Sequence, residues 1–146
     1  MTALPEAPRM LDDACPPTID IDAHGPVQLC TLAQLEPTGC REFRLGSGDW
    51  PLRGFVVRAG SEVRAYLNRC PHQLLRMNCM PDDLLTADRR YIVCEMHDAL
   101  FEKDSGLCIA GPCLGRRLWT LPVRIDAGRV LLEPGTDIHA LIARFT

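Results

Sequence analysis

The chain has 146 residues, which is enough for one domain with one modest hydrophobic core. Its 16 basic and 19 acidic side chains give a net charge of −3, which excludes a strongly basic protein that attracts nucleic acid or an anionic membrane. No apolar run reaches the roughly 18 residues of a membrane-spanning helix, and residues 1–13 lack the basic and apolar stretches of a signal peptide. These features predict a soluble protein of the cytoplasm.

The first 24 residues differ in composition from the rest of the chain. Residues 1–24 contain four prolines and short acidic stretches, and they predict an extended or flexible N-terminal arm. From Pro26 onwards, short apolar runs alternate with Gly, Pro and Asp, a pattern typical of strands joined by turns. The predicted strands are Val27–Cys30, Glu42–Leu45, Gly54–Arg58, Val63–Asn68, Tyr91–Cys94, Ala99–Glu102, Leu107–Ala110, Leu121–Ile125 and Arg129–Leu132.

Helix is predicted at only two places. One is a single turn at Leu32–Leu35, and the other is a C-terminal piece, Asp137–Arg144, for which Thr136 is the expected N-cap. Closely spaced strands without intervening helices predict a mostly β fold, a small antiparallel sandwich or barrel.

Eight cysteines are a high number for a chain of this size. In a small secreted protein they would predict a disulfide framework. Here the sequence carries no export signal, and the cysteines fall into no single regular pattern. The sequence therefore predicts reduced thiols, some of which are metal ligands.

Two short motifs combine a thiol with an imidazole. They are Cys70-Pro71-His72 and Cys94-Glu95-Met96-His97, separated by the 21 residues from Gln73 to Val93. A metal centre needs this arrangement when each of two loops supplies one soft and one borderline ligand. Each motif also comes at the end of a predicted strand, so both loops can lie at one end of a sheet. Pro71 restricts the backbone between the first two ligands, because its ring fixes φ and favours an extended residue before it.

This C-x-H and C-x-x-H pattern closely resembles the signature of the Rieske family, in which two cysteines hold one iron and two histidines hold the other. The resemblance implies one [2Fe–2S] cluster per chain, held by Cys70, His72, Cys94 and His97. It covers roughly Pro26 to Glu133. Further matching segments are Tyr66 to His72, Ala99 to Glu102 followed by Ser105-Gly106, and Gly111-Pro112 followed by Leu118 to Val123.

The resemblance also implies a domain organisation. Residues 25–133 would form the Rieske domain, with a cluster-binding subdomain inserted into the β-sandwich or barrel, and residues 134–146 a C-terminal tail with a short helix. Gly111-Pro112 would belong to a proline-bearing third loop that shields the cluster in this family.

Two alternatives to the cluster remain at this stage. Zinc also accepts two cysteines and two histidines, although structural zinc sites more often begin with C-x₂₋₄-C and end with H-x₃₋₅-H. The other alternative is that the four residues are unconnected core or surface residues.

The remaining cysteines are most simply buried small side chains or free thiols, as expected for Cys15, Cys30, Cys40 and Cys108. Cys79 lies between the two ligand motifs and Cys113 lies in the third loop, so both fall near the expected cluster. A disulfide between Cys79 and Cys113 is a less favoured alternative.

Several positions point to the low-potential ferredoxin branch of the family. High-potential members carry a disulfide between the cluster loops and hydroxyl donors to the cluster sulfurs. The positions of that disulfide hold Leu75 and Met96, and the positions of the hydroxyl donors hold Ala99 and Phe101. Fewer hydrogen bonds to sulfur stabilise the added electron less. Asp98 stands where the family usually has Gly, and Asp tolerates a left-handed backbone better than most residues.

The ferredoxin resemblance implies a one-electron carrier between an NAD(P)H-dependent flavoprotein reductase and a terminal oxygenase, and not an enzyme by itself. One alternative is an electron-transfer or small subunit of another reductase of the nitrite-reductase-like kind. A redox sensor is a further alternative, favoured only if Cys79 or Cys113 is reactive.

Overall fold

The computed structural model describes residues 16–21, 25–46, 52–71, 76–96 and 98–145. Two of the predicted ligands, His72 and His97, lie outside these residues, as do Cys15, Leu75 and most of the predicted arm. The strands of the described residues are β1 (Thr18–Ile19), β2 (Gln28–Thr31), β3 (Cys40–Leu45), β4 (Leu52–Ala59), β5 (Glu62–Leu67), β6 (Tyr91–Cys94), β7 (Ala99–Glu102), β8 (Cys108–Ala110), β9 (Thr120–Leu121), β10 (Val123–Asp126) and β11 (Arg129–Leu132). A 3₁₀ turn covers Ala33–Leu35, and helix α1 covers Ile138–Phe145.

The strands form three sheets, which confirms the prediction of a mostly β fold. A five-stranded sheet has the order β1-β3-β4-β5-β9, and two three-stranded sheets have the orders β10-β11-β2 and β6-β7-β8. All strand pairs are antiparallel except β1, which runs parallel to β3 with Thr18 beside Arg44. The third sheet lies between β5 and β9 in the chain, as an inserted subdomain does.

The five-stranded sheet is buried on both faces, and this determines where the two motifs lie. Successive side chains of a strand point to opposite faces. In β4, Leu52 and Val56 therefore enter one hydrophobic core, while Phe55 and Val57 enter another. The first core lies against the β10-β11-β2 sheet and α1, and the second lies under the β6-β7-β8 sheet. The second core consists of Cys40, Phe55, Val57, Tyr66, Cys70, Met77, Leu84, Ile92, Cys94, Ala99, Phe101, Cys108, Cys113 and Leu118.

One predicted strand is two strands in the structure. The segment Leu121–Ile125 is interrupted at Pro122, where the chain passes from β9 in the five-stranded sheet to β10 in the second sheet. Proline has no N–H to donate to a sheet ladder, so the change of sheet occurs where no donor is lost. The carbonyl of Pro122 still accepts a hydrogen bond from the Glu133 amide at 3.0 Å.

The N-cap of the C-terminal helix lies one residue later than predicted. Asp137, not Thr136, caps α1, because its Oδ1 accepts a hydrogen bond from the Ala140 amide at 3.0 Å. The Thr136 hydroxyl instead donates to the carbonyl of Glu133 at 2.7 Å. Among the described residues, no helix has the length and apolar character needed to cross a bilayer.

Candidate metal centre

The two motif cysteines lie in the same core. Cys70 follows the end of β5 and Cys94 is the last residue of β6, and the two side chains are 1% and 0% exposed. Both belong to the second core, which excludes water from the thiols. The structure therefore brings together the two predicted thiol ligands. The two predicted imidazole ligands lie outside the described residues, and their role stays a prediction.

The backbone of Met77 connects the loops that carry the two motifs. We define the first loop as residues 68–77 and the second loop as residues 94–99. The Met77 amide donates to Asn68 Oδ1 at 2.9 Å, which closes the base of the first loop. The Met77 carbonyl accepts from the Glu95 amide at 2.9 Å, which joins this base to the second loop. Met77 is completely buried, so both hydrogen bonds are shielded from water.

The buried carboxylate of Glu42 holds the first loop through hydrogen bonds. Glu42 is 1% exposed, and Asn68 Nδ2 donates to its Oε2 at 3.1 Å. Its Oε1 accepts from Asn78 Nδ2 and, at 2.9 Å, from the Asp82 amide. Asn68 and Asn78 are also joined directly, by a 2.7 Å hydrogen bond from Asn68 Nδ2 to Asn78 Oδ1. We call Glu42, Asn68 and Asn78 the buried polar network.

Sequence reasoning missed the buried polar network, although alternation along β3 gave a signal for Glu42. Phe43 and Leu45 point into the first core, whereas Cys40 points into the second. Glu42 shares the parity of Cys40 and therefore faces the second core. A carboxylate on an inward face must find hydrogen-bond donors.

A third loop touches both motif loops. We define it as residues 108–118. Arg116 Nη1 donates to the carbonyl of Pro71 at 3.1 Å, inside the first motif. Gly111, with φ of +103°, lies against Ala99 at the end of the second loop, and a Cβ atom at Gly111 would lie 2.8 Å from the Cα of Ala99. The three loops therefore meet around the buried thiols of the second core.

The third loop also contains a pair of sulfur atoms in contact. Cys108 and Cys113 are 1% and 2% exposed, and their Sγ atoms are 3.0 Å apart. The Cys108 thiol donates to the carbonyl of Ala110 at 3.2 Å. Burial raises the pKa of the Cys113 thiol, and the neighbouring Cys108 sulfur acts in the same direction.

The alternative disulfide between Cys79 and Cys113 is wrong for this structure. Both thiols are free, and Cys79 is exposed at the surface while Cys113 is buried against Cys108. The Cys79 amide instead donates to a carboxylate oxygen of Glu95 at 3.2 Å.

The second loop shows the backbone that the sequence predicted. Asp98 has φ of +57°, in the left-handed region that Asp tolerates and where the related family usually has Gly. Ala99 and Phe101 are completely buried, and Ala99 lies opposite Cys94 in the β6-β7 ladder. Met96, by contrast, is 51% exposed.

The residue before the first motif is attached to the C-terminal helix. Arg69 Nη1 donates to the carbonyl of Phe145 at 2.7 Å, and the Arg69 guanidinium lies 5.5 Å from the centre of the Phe145 ring. The same ring contacts Trp119 edge to face at 5.3 Å. Helix α1 is thus joined directly to the residue that precedes Cys70.

The donor set fits an iron–sulfur cluster. Two buried thiols reach one core from two loops, and soft thiolate ligands are those that iron–sulfur clusters prefer. No group of three or more His, Cys, Asp or Glu side chains that could hold a metal ion occurs within the described ranges. His72 and His97 lie outside these ranges, and their roles as ligands stay predictions.

Comparison with known proteins gives a family and a fold. The family model of the Rieske [2Fe-2S] domain matches residues 26–127. Among solved structures, the ferredoxin of carbazole 1,9a-dioxygenase from Nocardioides aromaticivorans IC177 is 28% identical, with a TM-score of 0.56, over 75% of this chain and 97% of that one. A ferredoxin from Sphingomonas yanoikuyae B1 is 23% identical, with a TM-score of 0.56, over 75% of this chain and 98% of that one.

A larger protein shares the same fold over part of its length. The terminal oxygenase of carbazole 1,9a-dioxygenase from Novosphingobium sp. KA1 is 22% identical, with a TM-score of 0.59, over 77% of this chain but only 30% of that one. Among curated protein sequences, none matches this chain.

Proposed function

Because this chain belongs to the Rieske [2Fe-2S] domain family, whose model spans residues 26–127, we propose that it is a one-electron carrier of the low-potential ferredoxin branch. Its cofactor is the [2Fe–2S] cluster of that family. The observation that carries the proposal is the meeting of three loops around two buried thiols, Cys70 and Cys94. In the proposed site these thiols hold one iron, and His72 and His97 hold the other.

The chain's own residues have identifiable tasks in this site. When bound, the cluster accepts and releases one electron at a time. Burial of Cys70 and Cys94 keeps water from the sulfur ligands, and the hydrogen bonds of Met77 fix the spacing of the two motif loops. Ala99 and Phe101 offer no hydroxyl donor to a cluster sulfur, which favours a low potential.

The proposed electron acceptor is a terminal oxygenase, and the proposed donor is an NAD(P)H-dependent flavoprotein reductase. Support for the acceptor comes from the likeness to a ferredoxin of carbazole 1,9a-dioxygenase, which extends over nearly the whole of that ferredoxin. The likeness to the terminal oxygenase covers 30% of that larger chain and concerns the fold alone. We place this activity in the cytoplasm.

The direct test is the spectrum and composition of the purified protein. Protein prepared without oxygen should be coloured and should contain two irons and two acid-labile sulfides per chain, as one [2Fe–2S] cluster requires. Dithionite should bleach its visible absorption and produce an EPR signal of the one-electron-reduced cluster. A colourless protein with one zinc ion per chain would contradict the proposal.

Ligand variants test the assignment residue by residue. Replacing Cys70 or Cys94 with serine should largely abolish iron incorporation. The matched control is Cys30→Ser, because Cys30 is also buried but belongs to the first core. Loss of iron in the control alone would show that the ligands are assigned wrongly.

The partner proposal needs a separate assay. Cluster-loaded protein, a flavoprotein reductase and NADH should reduce a terminal oxygenase faster than the reductase alone does. A loaded protein that the reductase cannot reduce would refute this donor and leave the cluster assignment intact.

A further inference from the structure

The pair Cys108 and Cys113 has geometry that ordinary packing does not explain. Their sulfur atoms lie 3.0 Å apart, which is closer than the roughly 3.5–4.0 Å of normal contact between smaller carbon atoms. Both side chains are almost completely buried. Neither belongs to the two motifs proposed to hold the cluster.

The backbone already holds the two residues in position for a bond. The Cys108 amide donates to the Arg116 carbonyl at 2.8 Å, and the Gly115 amide donates to the Cys108 carbonyl at 3.1 Å. The Arg116 amide donates to the Cys113 carbonyl at 2.9 Å, which turns the chain back towards Cys108. A disulfide has a sulfur–sulfur distance of about 2.05 Å, so the two Sγ atoms must approach each other by about 1 Å. We expect these backbone hydrogen bonds to stay intact during that approach.

We propose that Cys108 and Cys113 form an oxidation site, a dithiol in the third loop that closes to a disulfide when a peroxide reaches it. During local opening of the loop one cysteine loses its proton to water, and its thiolate sulfur attacks the peroxide. The O–O bond breaks, a sulfenic acid forms, and the hydroxide that leaves takes up the released proton to give one water. The second sulfur then attacks the sulfenic acid sulfur, the S–O bond breaks, and a second water leaves. Two thiols and one hydrogen peroxide thus give one disulfide and two waters.

Burial determines the kind of oxidant. A protein disulfide reacts only when one of its sulfurs lies in line with an attacking thiolate, and Cys108 and Cys113 offer it almost no exposed surface. Hydrogen peroxide is small enough to enter during local opening of the loop. Exposed Cys79 is open to any oxidant, but it has no neighbouring thiol among the contacts that the structure records.

The proposed bond lies in the loop that covers the site. Arg116, hydrogen-bonded to Pro71, and Gly111, packed on Ala99, are both in the third loop. A disulfide between Cys108 and Cys113 restricts the segment between these two contacts. The inference does not depend on the proposed electron-carrier function, because the two thiols pair whatever the other two motifs bind.

Peptide mapping tests the proposal directly. Trypsin cuts after Lys103 and Arg116, so Cys108 and Cys113 are the two cysteines of a single peptide, Asp104–Arg116. The purified protein is treated as isolated with a small excess of hydrogen peroxide, quenched, unfolded with an alkylating reagent, digested and analysed by mass spectrometry. We expect this peptide to escape alkylation and to be lighter by two hydrogen atoms, and a phosphine reductant should restore two alkyl groups.

Controls separate the pair from general thiol oxidation. Cys79 lies in another tryptic peptide, Met77–Arg89, which also contains exposed Met80. Fragment ions should show added oxygen on Cys79 itself, and this peptide should not lose two hydrogens. Cys108→Ser and Cys113→Ser should each abolish the disulfide, whereas Cys30→Ser should leave it unchanged. Two alkyl groups on Asp104–Arg116 after Cys79 has been oxidised would overturn the proposal. A crosslink from Cys113 to any cysteine other than Cys108 would overturn it as well.

Discussion

Replacing Glu42 with alanine should loosen the first loop more than any other part of the protein. The change removes the acceptor of hydrogen bonds from Asn68, Asn78 and the Asp82 amide. The side-chain amides of Asn68 and Asn78 keep second partners, which are Asn78 Oδ1 and the Met80 carbonyl. The Asp82 amide loses the partner that the structure gives it.

The size of the effect follows from these losses. A hydrogen bond to a charged group contributes roughly 1.5–3 kcal/mol, and the two amides with second partners lose less than a full bond each. We therefore expect the free energy of opening the first loop to fall by about 3 kcal/mol, which corresponds to a factor of roughly 100 in the opening equilibrium. Glu42→Gln keeps one carboxyl oxygen and should cost about half as much.

Amide hydrogen exchange measures this opening site by site. The amides to follow are Met77, which donates to Asn68, and Glu95, which donates to Met77. In Glu42→Ala both should exchange roughly 100-fold faster than in the wild type, while the amides of β11, whose Val130 and Leu132 pack in the first core, change less. The matched control is Glu62→Ala, because Glu62 is exposed and its 3.4 Å contact with Arg64 is an exposed ion pair of small value.

Two results would refute this reasoning. Unchanged exchange of the Met77 amide in Glu42→Ala would show that the buried polar network does not hold the loop. Equal acceleration of every protected amide would show that Glu42 stabilises the whole fold and has no particular link to the first loop.

Three further predictions concern the second and third loops. Asp98→Gly should raise the midpoint potential by an amount on the order of tens of millivolts at low salt and less at high salt, because it removes a negative charge next to His97. Voltammetry that finds no change would show that this charge lies too far from the cluster to affect its potential. Ala99→Ser should also raise the potential, nearly independently of salt, if its hydroxyl reaches a cluster sulfur; an unchanged potential would show that it does not. Gly111→Ala should lower the melting temperature more than Gly128→Ala does, because both residues have positive φ but only a Cβ at Gly111 meets Ala99. Equal decreases in melting temperature would leave backbone strain as the sole cause.

Strand positions followed from the sequence because short apolar runs are bounded by turn residues. The predicted strands Tyr91–Cys94, Ala99–Glu102 and Arg129–Leu132 have the same bounds in the structure. The segment Leu121–Ile125 was predicted as one strand, although Pro122 is a local signal of an interruption. The partner sheets of β9 and β10 are set by contacts with residues far away in the sequence.

The parts of the site formed by residues close together in the sequence were predictable. The parts formed by contacts between distant segments were less so. The two motifs predicted Cys70 and Cys94 as ligands because a thiol and an imidazole at short spacing, twice in one chain, are typical of a metal centre. The structure places both thiols in one core, and their role as ligands stays a prediction. The buried polar network was missed because Asn68 and Asn78 acquire their role only when the first loop returns to β3. Likewise, the contact between Cys108 and Cys113 depends on the turn that the third loop makes, and spacing alone did not distinguish it from a pairing of Cys113 with Cys79.

The contact between Arg69 and Phe145 makes the C-terminal helix part of the mechanical support of the proposed metal site. Any domain or affinity tag fused behind α1 is attached, through one hydrogen bond and one ring contact, to the residue that precedes Cys70. A force or a steric clash that displaces the last turn of α1 therefore acts on the loop that carries Cys70, one of the proposed thiol ligands. Fusion at the other end of the chain avoids this route, because β1 pairs with β3 at Arg44 and Leu45, on the edge of the five-stranded sheet.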